Sequence, residues 1–299
     1  MQDSVVILDL PQPFAVIAHD AGAANHIIEW LVLEGVECRP FMAGPAGQAW
    51  QRRFPSRLCH RSLDEALDGV RAVLSGTGWG SDLEHRARAA GRSRGLRTVA
   101  VLDHWGNYAM RFERHGVRVM PDEVWVTDRW AGDLARSSFP GLEVKQKPNA
   151  YLAAAVREVA SRQDSVAGTL FVLEPVREDW GRGSPGEFQA LDYFMHRRDV
   201  LGIEPGEPLR LRPHPSDAPG KYDSWVTRHA DEGVCLDDSE SLSAAISRSR
   251  RTVGIHSYAL VVADAAGRQA VSTLPPWAPA LCLPQTGIQQ LRRLCGEWQ

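Results

Sequence analysis

Short apolar runs recur along the chain, and most are followed by a stretch with helical spacing. Residues 14–19 (FAVIAH) read as a strand that ends in a turn over 20–23, before a helix over 24–33. The same alternation predicts strands at 37–42, 72–75, 97–102, 123–127 and 144–147. Helices are expected at 63–70, 82–91 and 129–137, the first with Ser62 as N-cap and Glu65 completing a capping box. After a helical bridge over 150–162 the pattern restarts. Strands are expected at 169–176, 209–212, 234–236, 251–255 and 270–273, and helices at 187–198, 222–229, 242–247, 258–266 and 288–295.

Strands alternating with helices form βαβ units and a parallel sheet. Two consecutive sets predict an α/β chain of two Rossmann-like domains facing across a cleft, 1–150 and 151–299. Pro148-Asn149 is the expected hinge, since Pro stiffens one side and Asn tolerates unusual backbone angles. The terminal helix is expected to pack back onto the N-terminal domain.

Composition narrows the classes. Of 299 residues, 43% are hydrophobic and 24% charged, which suits a globular chain. The net charge of −3 offers no global field for nucleic acid or an anionic membrane. No apolar run approaches the roughly 20 residues that span a bilayer. The start, MQDSVVILDLPQPF, lacks a basic n-region and a small-residue cleavage site, so no signal peptide is expected. Five cysteines without a CxxC pair argue against a disulfide framework and a zinc site. A cytoplasmic location with reduced thiols is expected. The ten His never fall at HxH or HxxxH spacing, and no metal or other cofactor is expected. Ten Trp slightly favour a ligand that stacks on rings, a sugar or a base.

In parallel sheets ligands sit at the carboxyl ends of strands. The residues just after each strand therefore carry the chemistry. Arg212-Pro213-His214-Pro215-Ser216 puts an imidazole on a turn stiffened by two prolines, with Arg212 beside it to suit a phosphate; a rigid turn with a surface His is as good a reading. His256-Ser257-Tyr258 ends a strand and opens a helix, whose first N–H groups favour an anion; an ordinary Ser cap competes. Glu174 follows the first strand of the second half. In the first half, His19-Asp20-Ala21-Gly22 follows the first strand, with small residues that admit a ligand and Asp20 placed as a general base or a simple cap. It is not a GxGxxG fingerprint, which disfavours a nicotinamide cofactor there. Gly76-Thr77-Gly78-Trp79-Gly80 lacks the Lys of a P-loop. Asp103-His104-Trp105-Gly106-Asn107 gathers an acid, a base, an aromatic ring and an amide, as a sugar subsite does.

A Rossmann pair with an HP turn and a Ser-bearing helix start in the second half resembles the GT-B glycosyltransferases. It is most similar to bacterial sialyltransferases and Kdo transferases that use CMP-activated sugars. The blocks AHDAGAA, SGTGWGSDLE, LDHWGNY and PDEVWVTD resemble small glycosyltransferases of surface-glycan or nonulosonic-acid loci. The resemblance implies a metal-independent transferase whose second domain holds a nucleotide-sugar donor, with CMP favoured. Arg212, His214, Pro215, Glu174, His256, Ser257 and Tyr258 would contact the nucleotide. The first domain would take a glycan or protein acceptor against His19, Gly22, Thr77, Trp79, Trp105 and Asn107, with Asp20 as base and Asp103 or His104 in reserve. No nucleic acid partner is implied; contact with a membrane surface is left open. Two departures stand out: the first half has no acidic-acidic-Gly base motif, the nearest match there being His19-Asp20-Ala21-Gly22, and the later motif is His-Ser-Tyr. A UDP-sugar transferase, a 2-epimerase, a nucleotide-sugar hydrolase, or a non-catalytic glycan- or nucleotide-binding protein shares the pattern.

Overall fold

The computed structural model describes residues 6–162, 164–176 and 178–297. The chain divides into two compact units, Met1–Tyr151 and Leu152–Gln299.

The first unit is built on β1 (Phe14–Ala18), α1 (Ala21–Glu34), β2 (Arg39–Met42), α2 (Gly44–Arg53), α3 (Leu63–Leu67), β3 (Ala72–Ser75), α4 (Leu83–Ser93) and β4 (Arg97–Val101). A hairpin, β5 (Glu113–Arg114) and β6 (Val117–Arg118), precedes β7 (Glu123–Val126), α5 (Arg129–Ser138) and β8 (Glu143–Gln146). Its sheet runs β2-β1-β3-β4-β7-β8, every pair parallel. All five residues of β1 are buried. A strand covered on both faces needs a continuous apolar run, which FAVIA supplies.

The second unit takes up most of α6 (Ala150–Ser161), then β9 (Thr169–Val172), α7 (Gly186–Arg197), β10 (Leu209–Arg212), α8 (Asp223–Arg228), β11 (Val234–Leu236), α9 (Leu242–Ser247), β12 (Arg251–Gly254), α10 (Tyr258–Ala265), β13 (Gln269–Ser272), β14 (Gln289–Gln290) and α11 (Leu291–Leu294). Its sheet is also parallel, in the order β11-β10-β9-β12-β13-β14. The α/β class and the two Rossmann-like sheets expected from the sequence are both present.

Several boundaries differ, each with a local reason. Helix α1 starts at Ala21, so the expected turn over 20–23 is its first turn; it stops at Gly35, whose φ of +64° suits a left-handed cap. Residues 44–53 carry two glycines and a proline, weak signals for a helix, yet Pro45 falls in the first turn of α2, where its missing N–H costs nothing. At α3, Ser62 accepts the Glu65 N–H at 3.2 Å, while the Glu65 carboxylate accepts from the N–H of Arg61 at 2.8 Å. The strand expected over 169–176 ends at Val172, before Pro175. The terminal helix expected over 288–295 shrinks to strand β14 and one turn of helix. Its Leu291 lies in the second unit's core beside Leu209, Val253 and Val271.

Most tryptophans serve the core. Trp30, Trp50 and Trp125 are fully buried, and Trp30 donates its ring N–H to Pro148 O at 2.8 Å. Trp79 and Trp277 are the large exposed ones among the described residues.

Strand β12 lies so close to β9 that a Cβ on Gly254 would come within 2.8 Å of the Val172 carbonyl oxygen. Neither backbone can yield inside a six-stranded sheet. Gly254→Ala should therefore cost about 1–3 kcal/mol, typical of overpacking, read as a lower urea midpoint at unchanged slope.

Candidate functional site at the two sheet edges

In each sheet the strand order reverses once, and in open parallel sheets the ligand crevice opens at that reversal. In the first unit it lies between β1 and β3; in the second, between β9 and β12. The loops after these strands carry most of the residues singled out from the sequence.

At the first edge His19 and Asp20 follow β1. The His19 main chain is held on both sides: its N–H donates to Glu84 Oε1 at 2.8 Å, and its carbonyl accepts from Ala46 N–H at 2.8 Å. Its Nδ1 lies 2.8 Å from Asp20 Oδ1. Asp20 takes the N-cap position of α1, but its side chain makes no cap bond. Instead Oδ2 accepts the main-chain N–H groups of Trp79 at 2.9 Å and Gly80 at 3.4 Å. A carboxylate accepts only, so Nδ1 of His19 carries the proton of that pair and Nε2 is left as the basic nitrogen. Nε2 has no protein partner among the described residues and is not sealed from solvent.

Glycine is required here by space. A Cβ on Gly78 would sit 1.9 Å from Asp20 Oδ2, and one on Gly22 1.8 Å from Asp103 Oδ2. Gly44, at φ +49°, passes so near His19 that a Cβ would meet Nε2 at 2.6 Å. Asp103 follows β4 and pairs with Arg111 at 3.0 Å. That guanidinium also reaches the Thr77 carbonyl at 3.3 Å and lies 5.4 Å from the ring centre of Trp79, which is 43% exposed. His19, Asp20, Gly22, Trp79 and Asp103 therefore form one cluster.

Other residues from the same loops are taken up structurally. Thr77 is fully buried, and its hydroxyl donates to Val101 O at 2.9 Å. Trp105 is buried and gives its ring N–H to Asp128, at 2.9 Å to Oδ2; Asp128 in turn caps α5 through Ala131 N–H. Thr77 and Trp105 thus present no free polar group to a sugar, contrary to expectation. His104 is half-buried against Trp105, ring centres 5.6 Å apart. Asn107 is exposed at φ +59°.

At the second edge the HP turn is rigid. The His214 N–H donates to Asp217 Oδ2 at 2.9 Å, and the buried Asp217 carboxylate also takes Lys221 at 2.7 Å and Tyr222 OH at 3.1 Å. The Ser216 N–H donates to His214 Nδ1 at 3.2 Å. A nitrogen that accepts a main-chain N–H bears no proton, so the neutral ring carries its proton on Nε2. His214 and Pro215 are exposed. Arg212 is half-buried and bound to the buried Asp237 at 2.6 Å and to Ser239 O at 3.0 Å. Both bonds use one terminal nitrogen of the guanidinium, so Asp237 orients the side chain at this edge. Glu174, after β9, accepts the His256 N–H at 2.6 Å and so bridges the two loops of the reversal. Ser257 caps α10, accepting Ala259 N–H at 3.2 Å, which leaves its hydroxyl hydrogen as a donor. Tyr258, half-buried, is the first residue of α10.

The sequence carries one further signal in the second unit. Gly181-Arg182-Gly183-Ser184-Pro185-Gly186 has the GxGxxG spacing and opens α7 at the reversal of the second sheet. Eight residues separate it from β9, unlike the tight turn of dinucleotide folds. Asp179 already accepts the N–H groups of Gly181 at 2.9 Å and Gly183 at 3.2 Å.

No protein-family model matches the sequence, and no curated protein matches it. Solved structures do. A UDP-GlcNAc 2-epimerase from Methanocaldococcus jannaschii matches at a TM-score of 0.62 and 7% identity, over 95% of this chain and 91% of that one. The S. aureus MnaA–UDP structure matches at 0.61 and 12%, over 87% and 79%. The glycotransferase of kitacinnamycin matches at 0.50 and 12%, over 94% and 86%. The shared property is the fold. The chain has a GT-B-like fold of two Rossmann-like domains. No helix among the described residues is long and apolar enough to cross a membrane.

The first edge has a further titratable neighbour. His26, on α1, is fully buried, and burial pushes its pKa down to about 4 although the Asp103 charge opposes the shift. Between pH 6.5 and 4 the unfolded chain binds a proton that the folded chain refuses. Stability must fall as pH drops through that window, by up to about 1.4 kcal/mol per pH unit. Urea midpoints from pH 7 to 4 should show this slope in the parent and a shallower one in His26→Leu.

Proposed function

We propose that the protein is a metal-independent, nucleotide-sugar-dependent glycosyltransferase. The observation that carries the reading is the complementary chemistry of the two sheet reversals. The second unit offers donors suited to a phosphate: His214 Nε2–H, the Ser257 hydroxyl and the first N–H groups of α10, with Glu174 facing a ribose hydroxyl. The first unit offers a base. This supports 1–150 as the acceptor domain and 151–299 as the donor domain.

The base is His19 rather than Asp20. Both oxygens of Asp20 are engaged, and its service is to hold the imidazole so that Nε2 meets the acceptor hydroxyl. As that oxygen bonds to the anomeric carbon, its proton passes to Nε2. The carbon–oxygen bond to the donor phosphate breaks, and the leaving phosphate needs hydrogen-bond donors of the kind the second unit carries at His214 and Ser257. Trp79 gives the acceptor sugar an apolar face to stack on, and Asp103 an oxygen for its hydroxyls. A CMP-activated nonulosonate or Kdo-like sugar, delivered to a surface glycan or protein, is the donor the sequence resemblance favours. A cytoplasmic location suits such a donor.

A UDP-sugar 2-epimerase is the second reading, favoured by the 2-epimerase folds at TM-scores of 0.62 and 0.61. A thermal-shift screen of CMP, UDP, GDP and their sugars, followed by product analysis with and without acceptor glycans, separates the two. A midpoint raised by CMP ligands and turnover only with acceptor are expected. Conversion of UDP-N-acetylglucosamine without acceptor would overturn the transferase. Nucleotide binding without any turnover would mark a binding protein. His19→Ala should lower kcat by about 10²–10⁴-fold at little cost in donor affinity. His214→Ala should weaken donor binding by roughly 10-fold or more. A His214→Ala protein with normal donor affinity and turnover would remove the second edge from the reaction.

A further inference from the structure

The loop between β9 and α7 is costly to build. Trp180 lies at φ +47°, a left-handed conformation rare for a bulky aromatic residue. Strain of this kind persists only where the surroundings impose it, and it clusters at ligand sites. The surroundings here are explicit. Trp180, with Val176, Ala278 and Leu281, packs against buried Ile255 and Leu274, and Ile255 directly precedes His256. Asp179 holds the Gly181 and Gly183 N–H groups. Gln189, buried on α7, donates to the carbonyls of Asp179 at 2.5 Å and Ser184 at 2.6 Å, and accepts the ring N–H of Trp277 at 2.7 Å.

What this scaffold presents is one cation. The Arg182 guanidinium lies 3.8 Å from the ring centre of Trp277, itself 38% exposed. The contact seats the guanidinium over the ring face, and Arg182 makes no side-chain hydrogen bond among the described residues. No carboxylate pairs with Arg182 among the described residues. Arg212 on the same edge, by contrast, is paired with Asp237. A flat, pre-oriented guanidinium is matched in shape by an oxyanion with two acceptor oxygens.

We propose that Arg182, laid on Trp277, is an oxyanion subsite that takes a second phosphoryl or carboxylate group of the ligand held at this edge. The proposal rests on reading that edge as a sugar-nucleotide site. It narrows the ligand class to nucleotides with an anionic group beyond one phosphate: a nucleoside diphosphate sugar, or a CMP-linked acidic sugar.

Calorimetry on the full chain, Arg182→Ala and Arg182→Lys tests it with CMP, UDP and CMP-N-acetylneuraminate. UDP adds a phosphoryl group, and CMP-N-acetylneuraminate adds a carboxylate. Arg182→Ala should weaken one of these two by about 10-fold or more and leave CMP within about twofold; Arg182→Lys should regain only part. The ligand that responds names the source of the oxyanion. Equal weakening of CMP, or no weakening of either larger ligand, overturns the subsite. Should no nucleotide bind, the sugar-nucleotide reading fails by itself. Indole fluorescence titrated with inorganic pyrophosphate and with N-acetylneuraminate then judges the subsite alone. A saturable change present in the parent and absent in Arg182→Ala supports it; no saturable change in the parent overturns it.

Discussion

The main-chain N–H of His19 donates to a carboxylate, Glu84, that is 1% exposed, and the first sheet edge depends on that bond. Burial raises the pKa of Glu84, and its Oε2 has no hydrogen-bond partner among the described residues. An unpaired buried polar atom is expensive, so its retention needs compensation. One turn further along α4, Arg88 supplies the opposite function. Its buried guanidinium donates to Gly76 O at 3.0 Å, Arg111 O at 3.3 Å and Val119 O at 3.4 Å. An acid that collects main-chain donors and a base that collects main-chain acceptors, four residues apart on one helix, tie together the loops after β1, β3 and β4.

The second edge uses the same device with other residues. Asp217 holds the HP turn, Glu174 holds the turn after β12, and Asp179 holds the glycine loop, each through main-chain N–H groups. Hydrogen bonds to charged acceptors are worth about 1.5–3 kcal/mol each, enough to hold a loop in one shape. Asp217 and Asp179 are scaffolding, and Glu174 spends one oxygen the same way. That explains why a cluster of acids at strand ends is a poor guide to which acid reacts.

The inner strands were legible in the sequence because parallel strands buried on both faces, such as β1 and β3, must be near-continuous apolar runs, whereas strands nearer the sheet edges were marked by their place in the strand-helix alternation. Strands 209–212 and 234–236 and the helix over 242–247 match the structure residue for residue. The turns were less legible. Asp20 reads equally as a base or as a cap in sequence, and only the positions of Trp79 and Gly80, sixty residues away, show which atoms its oxygens meet. Thr77 and Trp105 have the right chemistry for a sugar and sit in the right loops. Their partners, Val101 O at the end of β4 and Asp128 at the N-cap of α5, consume that chemistry. The glycine spacing at 181–186 was readable, but Asp179, which fills its N–H groups, gives no sign of that role in the sequence.

Two histidines show how far local partners decide which ring nitrogen holds the proton. Each stands at the carboxyl edge of a parallel sheet with its Nδ1 bonded to a near neighbour in sequence. At His19 the partner of Nδ1 is a carboxylate, so Nδ1 donates and Nε2 is left with a lone pair. At His214 the partners are the Ser216 N–H, which donates at 3.2 Å, and the Ser216 hydroxyl at 2.7 Å, so Nδ1 accepts and Nε2 holds the proton. The first ring is set to take a proton, the second to give a hydrogen bond. A hydroxyl nucleophile needs the former and a phosphate leaving group the latter. The two tautomers follow from one carboxylate and one main-chain amide, each fixed within two residues of the imidazole it serves.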